Sequence, residues 1–344
     1  MATTDPHPTA LGTALGMVAS PAFDVVRAAR VELVVADLDA SERFYADALG
    51  MIVSERTADA LYLRGWEERM RHSIVLRVGA RPALSAVAFL VGGAGDLDEL
   101  SRFFTATGAD VRPAVDERTG AEILRVQDTQ GFPLEFFHRS ERVPSRLQHF
   151  HEHQGAPILR LDHFNLHSPD PLAAARAWLA LGFRCTEYIS TDGEPEELTG
   201  CWLRRAPSVH DLALTVGSGP RLHHVGLWVG EAAGVLRSCD QLASLGYASA
   251  IERGPGRHGV SNAFFVYLRD PDGHRIELYA SDYWTGDPDH EPLRWSASDP
   301  SCRSFWGTRA PASWYEESTA VLDLDGREVE LAHTRVDERS ELMA

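Results

Sequence analysis

The amino-acid sequence predicts an α+β fold in which four βαβββ modules pair into two similar domains. Two observations support this prediction. Along the 344 residues, a short apolar strand leads four times into an amphipathic helix. Runs rich in β-branched and aromatic residues, such as 73–78 and 263–268, lie between these helices and have the composition of strands. Because a repeated pattern indicates a repeated structural unit, we interpret each copy as one βαβββ module.

The modules begin in chain order at residues 31, 85, 161 and 222. In the first helix, Phe44, Tyr45 and Leu49 form an apolar stripe of the kind that a helix presents to a sheet. Each predicted helix is followed by a glycine, which accepts the left-handed conformation just past a helix end. These glycines are Gly50, Gly108, Gly182 and Gly246. The helices are therefore predicted to stop there.

The composition excludes several classes of protein. The net charge of −17 argues against nucleic acid and anionic membranes as partners, because phosphate groups require a basic surface. No apolar run reaches the roughly 18 residues of a membrane helix, and the N-terminus lacks the pattern of a secretory signal. The four cysteines are too widely spaced for a disulfide scaffold or a structural zinc site. We therefore expect a cytoplasmic protein without a membrane partner.

Three residues on strand-like segments of the second half form the candidate site: His163, His224 and Glu277. Two imidazoles and one carboxylate on one face of a metal ion leave its other face open, an arrangement typical of non-haem iron(II) oxygenases. His223 is an alternative to His224, since side chains alternate along a strand and only one of the two can face the metal. Aligning residues 162–166 with 223–227 favours His224. Glu135 has a similar place in the first half, but the first strands there contain no histidine.

The division into domains follows from a second repeat. The pattern of a strand, an Asp-x-x-Gly turn and a strand with a glutamate occurs at 125–137 and at 268–279. Between the halves lies a polar, histidine-rich stretch without periodicity. The residues that follow the second half are rich in aromatic residues and proline, and we interpret them as a lid that excludes bulk water. The predicted parts are a mobile tail (1–22), an N-terminal domain without metal (23–140), a linker (141–157), a C-terminal metal-binding domain (158–281), and a lid with the C-terminal tail (282–344).

A longer signature lies between residues 256 and 277. It contains a histidine, an apolar–tyrosine pair, Asp-Pro, a glycine and a glutamate at fixed spacing, here His258, Val266, Tyr267, Asp270, Pro271, Gly273 and Glu277. With the two upstream histidines, the chain resembles the type I extradiol ring-cleavage dioxygenases of the vicinal-oxygen-chelate superfamily, from about residue 25 to about residue 325. The resemblance implies a glyoxalase-like fold and cleavage of a catecholic aryl acid, such as 3,4-dihydroxyphenylacetate, by dioxygen.

The resemblance also implies roles for individual positions. His163, His224 and Glu277 match ligands of one Fe(II) or Mn(II) ion per chain. His210 matches the acid/base group, a task that suits histidine because it titrates near neutral pH. The further catalytic positions are Tyr267, His258 and Asn165.

Substrate binding is assigned in the same way. Arg253 and Arg303 match positions that hold the carboxylate of the substrate, for which a guanidinium offers a planar fork of donors. Trp202 and Trp314 are expected to line the pocket. Cys302 departs from the family pattern, which often has two adjacent arginines there, and this bears on the identity of the aryl acid. A homotetramer is implied by the resemblance alone.

Three alternatives stay open. One is extradiol cleavage of a different catechol, and a second is a glyoxalase-like lyase or isomerase on the same fold. A drug-binding protein of the superfamily is the third, although it would lack the three ligands. The histidines at 149, 151 and 153 look like a further metal site, but they lie in the predicted linker and we interpret them as solvated.

Overall fold

The computed structural model describes residues 9–116, 119–156 and 158–334. Its strands form two sheets of nine strands each. The first sheet contains β1 (Val25–Val35), β2 (Ile52–Arg56), β3 (Ala60–Arg64), β4 (Ile74–Val78), β5 (Ala83–Val91), β6 (Asp110–Val115), β7 (Glu122–Gln127), β8 (Pro133–Phe137) and β18 (Ala320–Val321). The second contains β9 (Arg160–Ser168), β10 (Arg184–Ser190), β11 (Leu198–Arg204), β12 (Leu212–Val216), β13 (Arg221–Trp228), β14 (Ile251–Arg257), β15 (Phe264–Arg269), β16 (Arg275–Ala280) and β17 (Leu293–Ser296).

The helices lie between these strands or follow them. The α-helices among the described residues are α1 (Ala10–Leu15), α2 (Leu38–Glu42), α3 (Ala94–Thr107), α4 (Pro171–Ala180), α5 (Ala232–Ser244) and α6 (Ala312–Glu316). A π-helical turn, Arg43–Ala48, continues α2, and single 3₁₀ turns occur at Ala248–Ala250, Val260–Asn262 and Pro300–Cys302. In this part of the chain, no helix has the length and apolar character that crossing a membrane requires.

The two sheets share one strand order. It is β2-β3-β4-β1-β5-β8-β7-β6 in the first sheet and β10-β11-β12-β9-β13-β16-β15-β14 in the second, with β18 added beside β5 and β17 beside β10. Along the chain, a strand, a helix and three strands follow one another four times. The predicted α+β class and the duplication into two similar halves are therefore confirmed.

A continuous apolar core joins the two halves. Phe89 of the first sheet lies 5.9 Å from Phe164 of the second and 5.1 Å from Trp178 on α4, measured between ring centres. All three side chains are buried, and each contributes about 1.5–3 kcal/mol by leaving water. This packing fixes the second sheet, which carries the candidate site, against the first.

The predicted helix stops are confirmed. Gly50, Gly108, Gly182 and Gly246 have φ of 74°, 83°, 85° and 85°, in the region that favours glycine. Gly50 is also required sterically, because a β-carbon there would lie 1.8 Å from the carbonyl oxygen of Gln154.

Part of the predicted mobile tail is ordered. Residues 10–15 form α1, whose first turn is capped by the Thr9 hydroxyl accepting from the backbone N–H of Gly12 at 3.0 Å. Leu15 is buried in the core, and this burial offsets the entropy lost by ordering the segment. Residues 10–15 are therefore helical, the mobility of the tail stays a prediction, and residues 1–8 lie outside the described residues.

Two predicted segments contain little regular structure. Residues 141–156, in the predicted linker, contain turns and one isolated bridge between Met70 and Arg142. After residue 282, the chain adds β17 to the edge of the second sheet and then places α6 beside the candidate site. The domain boundaries and the role of a lid stay predictions.

Candidate active site

Three neighbouring strands bring the predicted metal ligands together. Gly226 of β13 pairs with Glu277 of β16 on one side and with His163 of β9 on the other. His224 lies two residues before Gly226, on the same face of β13. The Nε2 atoms of His163 and His224 are 3.3 Å apart, and they lie 3.0 and 3.1 Å from Oε2 of Glu277.

The geometry of these three atoms fits a divalent metal ion. An octahedral ion about 2.1 Å from each ligand places neighbouring ligand atoms about 3.0 Å apart. The side chains of His163, His224 and Glu277 are 0%, 4% and 3% exposed. Electron-pair donors that face one another in so buried a place need a metal cation or a shared proton between them. Two imidazoles and one carboxylate suit iron(II) or manganese(II) and leave the remaining positions open.

A carboxylate orients the first ligand. Oδ2 of Asp162 accepts a hydrogen bond from Nδ1 of His163 at 3.0 Å, and Arg160 donates to the other oxygen of Asp162 at 3.3 Å. Because Asp162 holds a proton on Nδ1 of His163, Nε2 is the nitrogen that can offer a lone pair to a metal ion once its own proton has left.

The structure places His224, and not His223, in the cluster of ligands. Nε2 of His223 donates to the carbonyl oxygen of Trp314 at 2.9 Å, which leaves its Nδ1 as an acceptor. That Nδ1 lies 2.7 Å from Nδ1 of His224, which donates to it. The second ring nitrogen of His224 therefore faces Glu277 with a lone pair. His223 orients the ligand instead of replacing it.

Burial and charge set the protonation of the three ligands. Burial raises the pKa of Glu277, but the neighbouring imidazoles of His163, His224 and His258 outweigh it and hold this pKa well below its usual range. Burial lowers the pKa of His163, but hydrogen bonds to Asp162 and Glu277 reverse this and raise it to about 9. Burial lowers the pKa of His224 to about 4. At neutral pH His163 therefore carries a proton that a metal ion must replace.

A cavity of about 150 Å³ opens onto this cluster. His224 and Glu277 form part of its wall, while His163 lies behind them without any exposure. Every predicted catalytic and substrate-binding residue lines the cavity: His210, Tyr267, His258, Asn165, Arg253, Arg303, Trp202 and Trp314. The structure thus brings the predicted residues around one space.

His210 lies directly beside a ligand. Its ring centre is 4.0 Å from that of His163, and its Nδ1 has no hydrogen-bond partner within the described part of the chain. Burial, followed by repulsion from His163, holds the pKa of His210 well below its usual value. A neutral imidazole that faces a cavity can accept a proton from a bound hydroxyl group.

Tyr267 and His258 form a second polar group. Nδ1 of His258 donates to the carbonyl oxygen of Arg303 at 2.5 Å, so its Nε2 accepts from the hydroxyl of Tyr267 at 2.9 Å. Burial, followed by the charge of Glu277, holds the pKa of Tyr267 well above its usual value, and the phenol stays protonated. Asn165 accepts from the Thr215 hydroxyl at 2.8 Å, which leaves its amide N–H groups to donate to a ligand.

Arg253 is a buried cation in the cavity wall and is only 3% exposed. Its guanidinium carbon lies 4.5 to 5.7 Å from the centres of three aromatic rings, those of Trp314, Phe265 and Tyr267. Nη2 donates to the carbonyl oxygen of Arg303 at 3.0 Å and to the Ser304 hydroxyl at 2.6 Å, but no carboxylate among the described residues pairs with Arg253. Burial is the main cause that lowers its pKa. Such a cation is suited to the carboxylate of a ligand.

The first sheet has an ion pair at the corresponding position. Ala88 of β5 pairs with Glu135 of β8 and with Arg30 of β1. In the second sheet, Gly226 pairs in the same way with Glu277 and with His163. Arg30 therefore occupies the place of His163. The guanidinium of Arg30 binds the carboxylate of Glu135, and both side chains are largely buried.

Sequence reasoning missed three residues of the site. Asp162 directly precedes a ligand, and metal-bound histidines usually donate to a carboxylate, so its position was a usable signal. His167 lines the cavity with its ring centre 4.7 Å from that of His223. Arg275 is wholly buried two residues before Glu277, and the sequence gives no sign that separates it from a surface arginine.

The histidines of the predicted linker lie at the surface. His149, His151 and Glu152 come close enough to hold an ion, but both histidines are exposed and Glu152 binds Arg146 at 2.6 Å. His153 instead packs against Trp66, with ring centres 4.2 Å apart. We assign no metal site to them.

Comparison with known proteins identifies the family to which this fold belongs. Residues 27–136 and 160–278 match the family model described as the Glyoxalase/Bleomycin resistance protein/Dioxygenase superfamily. The manganese-dependent 2,3-dihydroxybiphenyl 1,2-dioxygenase of Geobacillus genomosp. 3 is 29% identical over 300 residues, which cover 82% of this chain and 94% of that protein.

Two solved structures of homoprotocatechuate 2,3-dioxygenase from Brevibacterium fuscum are also similar. A variant of that enzyme shares 41% identity with a TM-score of 0.89, over 94% of this chain and 89% of that one. An anaerobic complex with 3,4-dihydroxyphenylacetate shares 42% identity with a TM-score of 0.88, over 91% and 98%.

The fold and the site together define a duplicated βαβββ protein whose second half carries a candidate centre of two histidines and one glutamate. The chain belongs to the Glyoxalase/Bleomycin resistance protein/Dioxygenase superfamily.

Proposed function

We propose that the protein is an extradiol catechol dioxygenase that converts 3,4-dihydroxyphenylacetate and dioxygen to 5-carboxymethyl-2-hydroxymuconate semialdehyde. One observation carries the proposal: the buried cluster of His163, His224 and Glu277 adjoins a cavity that also presents a neutral His210, and an Arg253 without a carboxylate partner among the described residues. The similarity to homoprotocatechuate 2,3-dioxygenase, whose structure was solved with 3,4-dihydroxyphenylacetate, supports the same substrate.

The cluster is proposed to hold one Fe(II) or Mn(II) ion per chain. The donor set suits both ions, and the manganese-dependent relative supports manganese as one of them. When bound, the ion supplies a Lewis acid that holds both reactants and passes electrons between them. Asp162 and His223 keep the ligand nitrogens of His163 and His224 directed at the ion.

The polar residues of the cavity are proposed to move and hold protons. His210 is neutral and can take a proton from a catechol hydroxyl at a ring nitrogen and return it later in the reaction. The hydroxyl of Tyr267 and the amide of Asn165 can donate hydrogen bonds to oxygen atoms of the reactants, and His258 holds Tyr267 in place.

The cavity wall is proposed to select an aryl acid. Arg253 and Arg303 offer donors to the substrate carboxylate, and Trp202 and Trp314 line the space for the ring. Cys302 is buried in the same wall and is neutral where related enzymes often have a second arginine. This residue favours a different catechol as the alternative substrate. A glyoxalase-like lyase needs a second carboxylate ligand. The buried cluster among the described residues contains a single carboxylate, that of Glu277.

A homotetramer in the cytoplasm is proposed as the working form. Exposed large aromatic side chains, Trp284 at 68% and Phe305 at 56%, support association with further copies. The cysteines are unpaired, and no disulfide is found among the described residues, which suits a reducing compartment. Light scattering of the purified chain would measure the assembly.

The test is oxygen uptake by protein loaded anaerobically with iron(II) or manganese(II). With 3,4-dihydroxyphenylacetate, we expect rapid uptake and a yellow ring-opened product. Uptake with neutral catechols alone would show that Arg253 and Arg303 do not bind a carboxylate. Absence of uptake with every catechol would reject the dioxygenase and favour the lyase.

A further inference from the structure

A buried guanidinium connects the candidate metal centre to the chain segment 312–317. Arg275, on β16, has a side chain with no exposure, and each of its five N–H groups has an acceptor. Nε and Nη2 donate to the carboxylate of Glu252 at 2.6 and 3.0 Å. Nη2 also donates to the carbonyl oxygen of Ser313 at 2.9 Å, and Nη1 to those of Glu317 at 3.0 Å and His223 at 3.2 Å.

The same segment is held by two further groups. The Ser313 hydroxyl donates to Glu252 at 2.8 Å. The indole of Trp314 lies between two cations, 5.0 Å from the guanidinium carbon of Arg275 and 4.5 Å from that of Arg253. The segment is therefore fixed against the wall of the cavity by charge and by hydrogen bonds.

From this segment a hydrogen-bond chain leads to the metal-facing nitrogen of His224. Helix α6 ends at Glu316, so the carbonyl oxygen of Trp314 is left without a helical partner and accepts from Nε2 of His223. This bond requires the proton of a neutral His223 to be on Nε2, and Nδ1 must then accept from His224. If the segment leaves, His223 is free to take its other tautomer and to turn its N–H toward His224.

We infer that the segment 312–317 and the metal ion support each other's binding, with His223 and Arg275 as the positioning residues that connect them. The inference rests on the proposed metal centre. Docking of the segment fixes His223, and His223 fixes the lone pair of His224 toward the ion. Because coupling between two binding events is reciprocal, the ion must also hold the segment down. The protein therefore closes this side of its cavity more firmly when metal is bound.

The first test compares the manganese(II) dissociation constants of metal-free full-length variants by calorimetry. Removing a group that orients a ligand typically weakens metal binding about 10- to 100-fold, and we expect this range for His223→Phe. His223→Gln retains one donor and one acceptor, so a smaller loss is expected. His290→Phe is the control, because this histidine is not part of the cavity wall and its Nε2 donates to the carbonyl oxygen of Thr186 at 3.4 Å; its affinity should stay within about twofold of the wild type.

The second test uses trypsin at the exposed Arg309, just before the segment. Manganese(II) should slow cleavage of the wild-type chain about tenfold, as linkage requires when the ion binds the docked form. The protection should disappear in His223→Phe, and Arg275→Lys should raise cleavage without metal. Arg275→Lys keeps the positive charge, so it serves if His223→Phe does not fold.

The outcomes separate the inference from the proposed function. A wild-type chain that binds no manganese(II) or iron(II) removes the metal centre itself. The coupling is overturned if the wild-type chain binds the ion and His223→Phe binds it with the same affinity. It is also overturned if trypsin cleaves the wild-type chain equally fast with and without the ion. Both outcomes leave the metal centre intact.

Discussion

The imidazole of His163 lies over the α-carbon of Gly226. The two residues are cross-strand partners, and a β-carbon at position 226 would lie 2.2 Å from Cε1 of His163 and 2.4 Å from each ring nitrogen. No side chain fits into that gap unless the ring moves. The ligand therefore keeps its position because its neighbour has no side chain.

Gly226→Ala tests this relationship. The added methyl group should displace the His163 ring and weaken manganese(II) binding by at least about tenfold, since ligand geometry tolerates only small shifts. Gly193→Ala is the control, because a β-carbon there meets nothing within 4 Å. Calorimetric titration of both variants measures the difference, and equal affinities would contradict the steric account.

His210→Asn tests the proposed acid/base group. This side chain contacts a ligand ring but is not itself a ligand, so metal content should not change. Ring opening should slow by a factor of about 10² to 10⁴, the usual contribution of a general acid or base. Elemental analysis and stopped-flow absorbance of the yellow product provide the two readouts. A variant with full turnover would remove the role.

Arg253→Gln tests recognition of the substrate carboxylate. The change removes a buried cation without a carboxylate partner among the described residues, so the KM for 3,4-dihydroxyphenylacetate should rise about 10- to 100-fold. The KM for 4-methylcatechol, which has no carboxylate, should change little. Steady-state oxygen uptake with both substrates makes the comparison. An equal loss with both would assign Arg253 to packing of the aromatic rings.

Metal affinity should depend on pH through one ligand. Hydrogen bonds to Asp162 and Glu277 raise the pKa of His163 to about 9, so below that pH the ion must displace its proton. Apparent affinity for manganese(II) should therefore rise about tenfold per pH unit between about pH 6 and about pH 8. His224, with a pKa of about 4, adds nothing in this range. Calorimetry in buffers of different ionisation enthalpy should show release of one proton per ion, and release of none would contradict the assignment.

Much of the fold was predictable because it follows from local rules. Repeated strand–helix patterns and helix-stop glycines are recorded in the sequence at fixed spacing, and the strand order of both sheets follows from pairing such modules. The segment around α1 was not predictable in this way. Its order depends on burial of Leu15 against residues far along the chain.

The residues of the candidate site also divide into those that the sequence predicts and those that only the fold reveals. His163, His224 and Glu277 could be predicted because their strands carry a recognisable signature, and alignment of the two strands selected His224 over the adjacent His223. Its exclusion depends on the Trp314 carbonyl, 91 residues later in the chain. Arg275 could not be given its role from the sequence, because charged residues near a ligand are common and only the fold decides which ones are buried. The position of Asp162 directly before His163 was a usable signal.

Arg30→Met tests the ion pair of the first sheet. It leaves the buried carboxylate of Glu135 without its main partner, and this should lower the free energy of unfolding by about 3 kcal/mol. Arg125 also contacts Glu135, at 3.4 Å, but it is 54% exposed, so Arg125→Met should cost about 1 kcal/mol or less. Urea denaturation of the metal-free proteins measures both. Similar losses of unfolding free energy in the two variants would show that the Arg30 pair stabilises the fold no more than the Arg125 pair.

The positive charge beside the central glutamate differs in origin between the two sheets. In the first, Arg30 brings the positive charge to Glu135 as part of the polypeptide, whereas Glu277 in the second is proposed to bind a metal ion from solution. In the metal-free chain, the first half therefore has a fixed ion pair at its centre, whereas the charge beside Glu277 depends on the proton of His163 and on the proposed ion. Scarcity of iron or manganese should leave the pair of Arg30 and Glu135 unchanged.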